Sequence, residues 1–188
     1  MKFSYNVEFI NPFLNAVVNV LSTMAQIEPR PGKPYINVKG VATGDVTGII
    51  GISGYSRGTI SLTLSKGAIL AIVNNMLAET YTEINEDIAD GVGELTNMIS
   101  GQARAKLSEQ GMSFQASTPS VVVGAGHKVT HLTGSPILAI PFETDHGPFV
   151  VEVCLARPTS GREPPQKPPP ATATTPPAPQ DDAPSKSP

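Results

Sequence analysis

Apolar residues along this chain alternate between two rhythms, and the switches between them predict its elements. Phe13, Val17, Val20, Leu21 and Met24 recur at helical spacing, which predicts an amphipathic first helix. Asn11 followed by Pro12 reads as its N-cap and first helical residue, and Pro29 and Pro31 stop the run. Ile36 and Val38 then alternate as in a strand. The stretch "VTGIIGISGYSRGTISLTLS" reads as a hairpin, two β-branched runs joined by a turn of glycine and serine. Ser65 stands where it would cap a second helix, "KGAILAIVNNMLAE", and the loop "TYTEINE" leads to a third that runs to about Leu107. After "SEQGMSFQASTP" come three predicted strands, "SVVVGAGHKVT", "PILAIPFET" and "FVVEVCLA", with "DHGP" turning the last pair. Without a strict strand–helix–strand alternation, this order predicts an α+β fold with a mainly antiparallel sheet and three helices. No internal repeat is visible in the sequence.

Composition divides the chain near Arg157. From there to Pro188, 11 of 32 residues are proline and large apolar residues are nearly absent. Such a segment cannot bury enough surface to offset its ordering entropy, so residues 157–188 are expected to be a disordered tail of polyproline II character. Residues 1–156 are expected to form one domain, large enough for a core without staples.

The formal net charge is −3 and no run of lysine or arginine occurs. That argues against nucleic acid or an anionic membrane surface as the partner. No apolar run approaches the length of a membrane span, and "MKFSYNVEFINP" lacks the apolar centre of a signal peptide. A cytoplasmic protein is the expectation. Cys154 is the only cysteine, so neither an intrachain disulfide nor a cysteine-rich zinc cluster is available.

The third helix carries the chemistry worth weighing. At 100° per residue, Ile88, Val92, Leu95, Ile99 and Ala103 gather on one side, and Asp90, Glu94, Asn97 and Gly101 on the other. Glu94 and Asn97 are thus neighbours at i and i+3. A polar exposed face is the ordinary account of such a pair. Two features count against it. Asparagine competes for backbone hydrogen bonds inside a helix, and Gly91, Gly93 and Gly101 each cost roughly 1 kcal/mol relative to alanine. Three glycines in one helix suggest close approach, either by the core or by another protein.

"DGVGELTN" resembles the signature of the CheC, CheX and FliY family, phosphatases of phosphorylated CheY-type response regulators. That signature is an Asp or Ser, three residues, Glu, two residues, Asn, and a proline some twenty residues on. Asp90, Glu94, Asn97 and Pro119 match in order, and "IEPRPGKP" and the "GIIGISG…GTISLTLS" hairpin extend the resemblance across about residues 5–156. The chain resembles the CheX branch. Members of the CheC type carry a second Glu and Asn pair on the first helix. Glu8 and Asn11 in "VEFINP" would imitate it, but Asn11 as a cap would leave Glu8 outside the helix.

The resemblance implies a phosphatase that hydrolyses the phospho-aspartate of a CheY-like response regulator. Asn97 would hold the attacking water in line, and Glu94 would pair with the regulator's active-site lysine. Gly93 and Gly101 would give the regulator's backbone clearance. Asp90 has two readings: a partner contact, or a charge favouring the helix N-terminus. Pro119 reads as shaping the loop before a strand. No metal or cofactor of the chain's own is expected, because Mg²⁺ belongs to the regulator. The resemblance further implies a homodimer joined through sheet edges, with "SVVVGAGHKVT" a candidate edge.

A non-enzymatic regulator-binding module, or a scaffold component of a signalling or motility assembly, is the alternative. Other candidates carry less. His127, His131 and His146 read as separate surface histidines and Cys154 as a buried small hydrophobe. "GAG" at 124–126 and "GISGYSRG" at 51–58 lack the lysine and helix of a phosphate loop.

Overall fold

The third helix is held at its N-terminus by Asn85, whose Oδ1 accepts the amide of Ile88 at 2.9 Å. Caps of this kind set where each helix starts. The computed structural model describes residues 5–38, 44–127, 129, 131 and 134–156, so the predicted tail, residues 157–188, lies outside the described residues. Within them run α1 (Val7–Val20), β1 (Arg30–Pro31), β2 (Tyr35–Asn37), β3 (Val46–Gly54), β4 (Gly58–Leu64), α2 (Lys66–Leu77), α3 (Glu86–Glu109), β5 (Phe114–Ala116), β6 (Ser120–Val123), β7 (Ile137–Thr144) and β8 (Gly147–Leu155). The α+β class, the three helices and the antiparallel sheet are as the sequence led us to expect.

Two starts differ from expectation. Asn6, not Asn11, caps α1: its Oδ1 accepts the amide of Phe9 at 3.0 Å. Pro12 therefore sits inside the helix and is buried, where its missing N–H leaves the Glu8 carbonyl without the usual helical donor. A wider helical turn, Leu21–Ala25, follows, and Gln26 ends it in the left-handed conformation at φ 54°. For α2, Ser65 occupies the cap position without capping; its Oγ donates to the Pro148 carbonyl at 2.9 Å. Asp45 caps instead, its Oδ2 accepting the Lys66 amide at 2.7 Å across the hairpin.

The sheet runs β1–β7–β8–β4–β3–β5, with β2 also on β7 and β6 also on β3. All pairings are antiparallel. This order is a pseudo-twofold. The β3–β4 and β7–β8 hairpins meet at the central β4–β8 pair, and each is bordered by a broken strand, β1 and β2 on β7, β5 and β6 on β3. A helix precedes each broken strand, α1 in one half and α3 in the other, and each half lends its broken strand to the other half's hairpin. The duplication lives in topology and left no repeat visible in the sequence.

Strand alternation gives the sheet two unlike faces. Ile50, Ile60, Leu62, Val151, Val153, Leu138 and Ile140 face the helices and join Phe9, Phe13, Ile69, Ile88, Val92, Leu95 and Ile99 in one core. The other face carries a polar group, Thr47, Thr59, Ser61, Thr63 and Glu152, among Ile49, Ala139, Val150 and Cys154. Thr47 and Thr63 share a hydroxyl hydrogen bond of 2.7 Å, and Thr47 Oγ1 is 2.5 Å from His127 Nε2. Thr59 Oγ1 is 2.5 Å from His131 Nδ1.

His131 thus corrects the expectation of separate surface histidines: its side chain is 2% exposed and its Nε2 lies 3.7 Å from Glu152 Oε2. His127 is half-buried, and His146 is exposed as expected. Cys154 is buried.

Candidate active site

The seating of α3 on the sheet depends on glycines. A Cβ placed on Gly48 of β3 would overlap Thr96 Oγ1 and come within 3.1 Å of Val92 Cγ1. The strand glycine is what lets the helix come down this far, a role strand glycines commonly have. Thr96 Oγ1 in turn donates to the Val92 carbonyl at 2.7 Å, so its hydroxyl is satisfied within the helix. Gly91 serves the second contact of α3. A Cβ there would lie 2.7 Å from Val73 Cγ2 on α2, so its clearance is for the core.

Gly93 and Gly101 differ. Added Cβ atoms would meet Val121 Cγ2 at 3.6 Å and Arg104 Nη2 at 3.9 Å, both ordinary contacts. Nothing in the core requires glycine at either position.

With Val92, Leu95, Thr96 and Ile99 buried beneath, Asp90, Glu94 and Asn97 project from the exposed side of the same helix. Among the described residues, none of these three side chains has a hydrogen bond or ion pair within the chain. A carboxylate and a carboxamide are therefore presented one helical turn apart, on a helix fixed by its core face. Nearby, Val121 of the edge strand β6 borders Gly93. Pro119 is half-buried at the break between β5 and β6, where Ser117 bonds Gly51 through both its amide and its hydroxyl. Pro119 shapes an edge strand rather than lining the exposed face. Among the described residues, no three His, Cys, Asp or Glu side chains converge in a metal-holding group, and no helix is long and apolar enough to cross a membrane.

This arrangement accompanies a family match. The family described as Chemotaxis phosphatase CheX matches residues 46–143, just over half of the chain. The chain belongs to the CheX family. The CheY-P phosphatase CheX of Thermotoga maritima is 27% identical over 121 residues, covering 64% of this chain and 78% of that protein. The crystal structure of the chemotaxis protein CheX from Desulfovibrio desulfuricans superposes with a TM-score of 0.75 at 54% identity, covering 79% of this chain and 99% of that one. A CheX–CheY–BeF₃–Mg²⁺ complex from Borrelia burgdorferi has a TM-score of 0.69 at 24% identity, covering 81% and 100%, and shares the fold.

The first helix of this CheX-family chain needs a correction. Because Asn6 is the cap, Glu8 and Asn11 both lie within α1, exposed and three residues apart. The ground for setting the pair aside therefore falls. Another difference separates the two pairs: Val7, 67% exposed, precedes Glu8 where Gly93 precedes Glu94, and Asn15 follows Asn11 where Gly101 follows Asn97. The first helix lacks both glycines that bare the backbone around the second pair.

Sequence reasoning missed Gly48, Asn85 and Val121. Gly48, a glycine inside a β-branched run, and Asn85, an asparagine directly before the acidic first turn of α3, carried readable signals, and Val121 did not.

Proposed function

We propose that this chain is a protein phosphatase that hydrolyses the phospho-aspartate of a CheY-like response regulator. The observation that carries the reading is the Glu94 and Asn97 pair, exposed and free of intrachain partners among the described residues, on a core-anchored helix of a CheX-family chain. The Thermotoga relative is named a CheY-P phosphatase, and the Borrelia protein of the same fold was captured with CheY, Mg²⁺ and BeF₃, a phosphoryl stand-in.

The chemistry follows from residue type. A phospho-aspartate receiver brings Mg²⁺ and a lysine to its own phosphoryl group, so what a phosphatase adds is position. The Asn97 carboxamide offers donor and acceptor together, does not titrate and does not compete for the metal. It orients the attacking water in line with the phosphorus–oxygen bond to aspartate. Glu94 pairs with the receiver's lysine and sets the docking register; desolvated at an interface, such a pair is worth more than the ~0–1 kcal/mol of an exposed one. Gly93 and Gly101 keep the helix backbone accessible, and Asp90 adds a carboxylate to the same docking face. Mg²⁺ is the regulator's, and the reaction takes place where the regulator is, in the cytoplasm.

The test is the decay of a phosphorylated receiver domain with Mg²⁺, with and without the protein. Wild type should accelerate decay, and Asn97→Ala should bind the receiver without accelerating it. Equal acceleration by Asn97→Ala would remove the water-positioning role. Wild type that binds without accelerating would instead be a docking or scaffold module. We also propose a homodimer through a sheet edge, with Val122 and Val123, both exposed on β6, as a candidate contact. Sedimentation showing only monomer at micromolar concentration would exclude it.

A further inference from the structure

Arg104 lies on the same stripe of α3 as Asp90, Glu94, Asn97 and Gly101, since fourteen helical steps from Asp90 and seven from Asn97 each return close to the same face. Its guanidinium is not loose. Nε donates to Ser100 Oγ at 3.2 Å and Nη1 reaches the Phe114 carbonyl at 3.5 Å, tying the group between its own helix and β5. Nη2 has no partner among the described residues and rests beside Gly101, 3.9 Å from where a Cβ would be. The side chain is half-buried, while the acids along the stripe are exposed.

From these facts we infer that Arg104 is a docking residue whose Nη2 pairs with a carboxylate on the receiver. The inference rests on the phosphatase reading for the identity of the partner. The stripe is acidic at Asp90 and Glu94, and Arg104 is its only base. A partner that offers a lysine to Glu94 and an acid to Arg104 fits in one orientation along the helix and is repelled in the reverse one. Opposed charges at two separated points fix register in this way. Seven residues at 1.5 Å each put Arg104 about 10 Å along the axis from Asn97. It therefore stands clear of the phosphoryl group and contributes to binding, not to the chemical step. Arginine suits the task because its pre-organised fork can hold two internal acceptors and still offer N–H groups outward.

The experiment uses the full chain and a phosphorylated receiver with Mg²⁺, compared across wild type, Arg104→Gln, Arg104→Lys and Arg104→Glu at several salt concentrations. Arg104→Gln should raise KM about fivefold to tenfold with kcat within about twofold, and should flatten the salt dependence of kcat/KM. Arg104→Glu should raise KM further, and Arg104→Lys should recover part of the loss, because it keeps the charge but not the fork that positions it. If Arg104 only tied α3 to β5, Lys and Gln would fail alike and thermal stability would fall with both. That pattern, or an unchanged KM in Arg104→Gln, overturns the proposal. Affinity for the BeF₃-loaded receiver is read in parallel. If wild type does not accelerate decay, the phosphatase reading fails on its own, while weaker binding by Arg104→Gln still supports the docking role and equal binding still overturns it.

Discussion

Gly48 on β3 and Thr96 on α3 are packed so closely that a single methyl group on the glycine would occupy the space of the threonine hydroxyl. Thr96 is flanked in sequence by the residues of the proposed site, Glu94 two before it and Asn97 one after. The sheet therefore sets the height of the helix that carries the proposed site directly, through one strand glycine.

Gly48→Ala should consequently act on both stability and function. Overpacking a well-filled contact commonly costs 1–3 kcal/mol, and here the helix has to lift, because Thr96 Cβ would also be only 3.0 Å away. We expect a loss of about 2 kcal/mol in chemical denaturation and a reduced rate of receiver dephosphorylation under conditions where the variant is folded. The double variant Gly48→Ala with Thr96→Ser keeps the hydroxyl clash and should not recover. Gly48→Ala with Thr96→Ala removes the hydroxyl overlap but keeps the 3.0 Å contact with the Cβ at position 96, so it should regain part of both.

The glycines of α3 divide by what lies opposite them, and substitution should divide them the same way. Gly91→Ala drives a methyl to within 2.7 Å of Val73 Cγ2 and should destabilise. Gly101→Ala meets nothing closer than 3.9 Å, so the helix should gain up to about 1 kcal/mol from propensity. If Gly101 is there for the receiver's approach, that more stable variant will show a KM raised several-fold with kcat little changed. A more stable variant with unchanged KM would dispose of the clearance role.

How far the sequence revealed this arrangement depends on how local each determinant is. The polar stripe of α3 was legible because both its core residues and its exposed residues belong to one helix with an unbroken 3.6-residue period. The start of α1 was not, because Asn6 and Asn11 are both plausible caps and the Asn11–Pro12 pair imitates a helix start; only the bond from the Phe9 amide to Asn6 decides. Strands β1 and β5 were missed because two or three residues cannot display a period, and only pairing to Glu143 and Phe142, or to Ser53 and its neighbours, makes them strands. Strand β6 ends at Val123 and not near Thr130 because Gly124 turns away at φ 140°. The burial of His131 depends on Thr59 and Glu152, 72 positions before and 21 after it in the chain, so no local pattern could report it.

That buried polar cluster makes a separate prediction. Glu152 is 2% exposed, its Oε1 accepts the Asn37 carboxamide at 2.6 Å, and its Oε2 lies 3.7 Å from His131 Nε2. Ser61, opposite it in register on β4, has a buried hydroxyl with no partner among the described residues. Glu152→Ala strands polar groups away from water, and losses of about 3 kcal/mol are typical when one member of a buried polar pair is removed. Glu152→Gln keeps an acceptor for Asn37 and should cost clearly less. Denaturant titrations of the two variants check the order, and equal losses would show that Asn37 draws no benefit from the acceptor.

Tyr5 links the start of α1 to the end of β8. Its hydroxyl donates to the Pro136 carbonyl at 2.8 Å and accepts the Leu155 amide at 3.2 Å. Burial disfavours the phenolate and holds the Tyr5 pKa above its usual value, with the Leu155 amide opposing the shift and the nearby Cys154 adding to it. The folded chain therefore keeps the Tyr5 proton at a pH where the unfolded chain has begun to release it. By linkage, the stabilisation is complete below about pH 10, the value for a free tyrosine, and declines as pH rises from there through the folded-state pKa. Tyr5→Phe should be less stable than wild type at pH 8, having lost both hydrogen bonds. The gap should narrow above pH 10, measured as the difference in unfolding midpoint between the two proteins. A gap that stays constant or widens in alkali would mean that the Tyr5 phenol does not release its proton more readily in the unfolded chain.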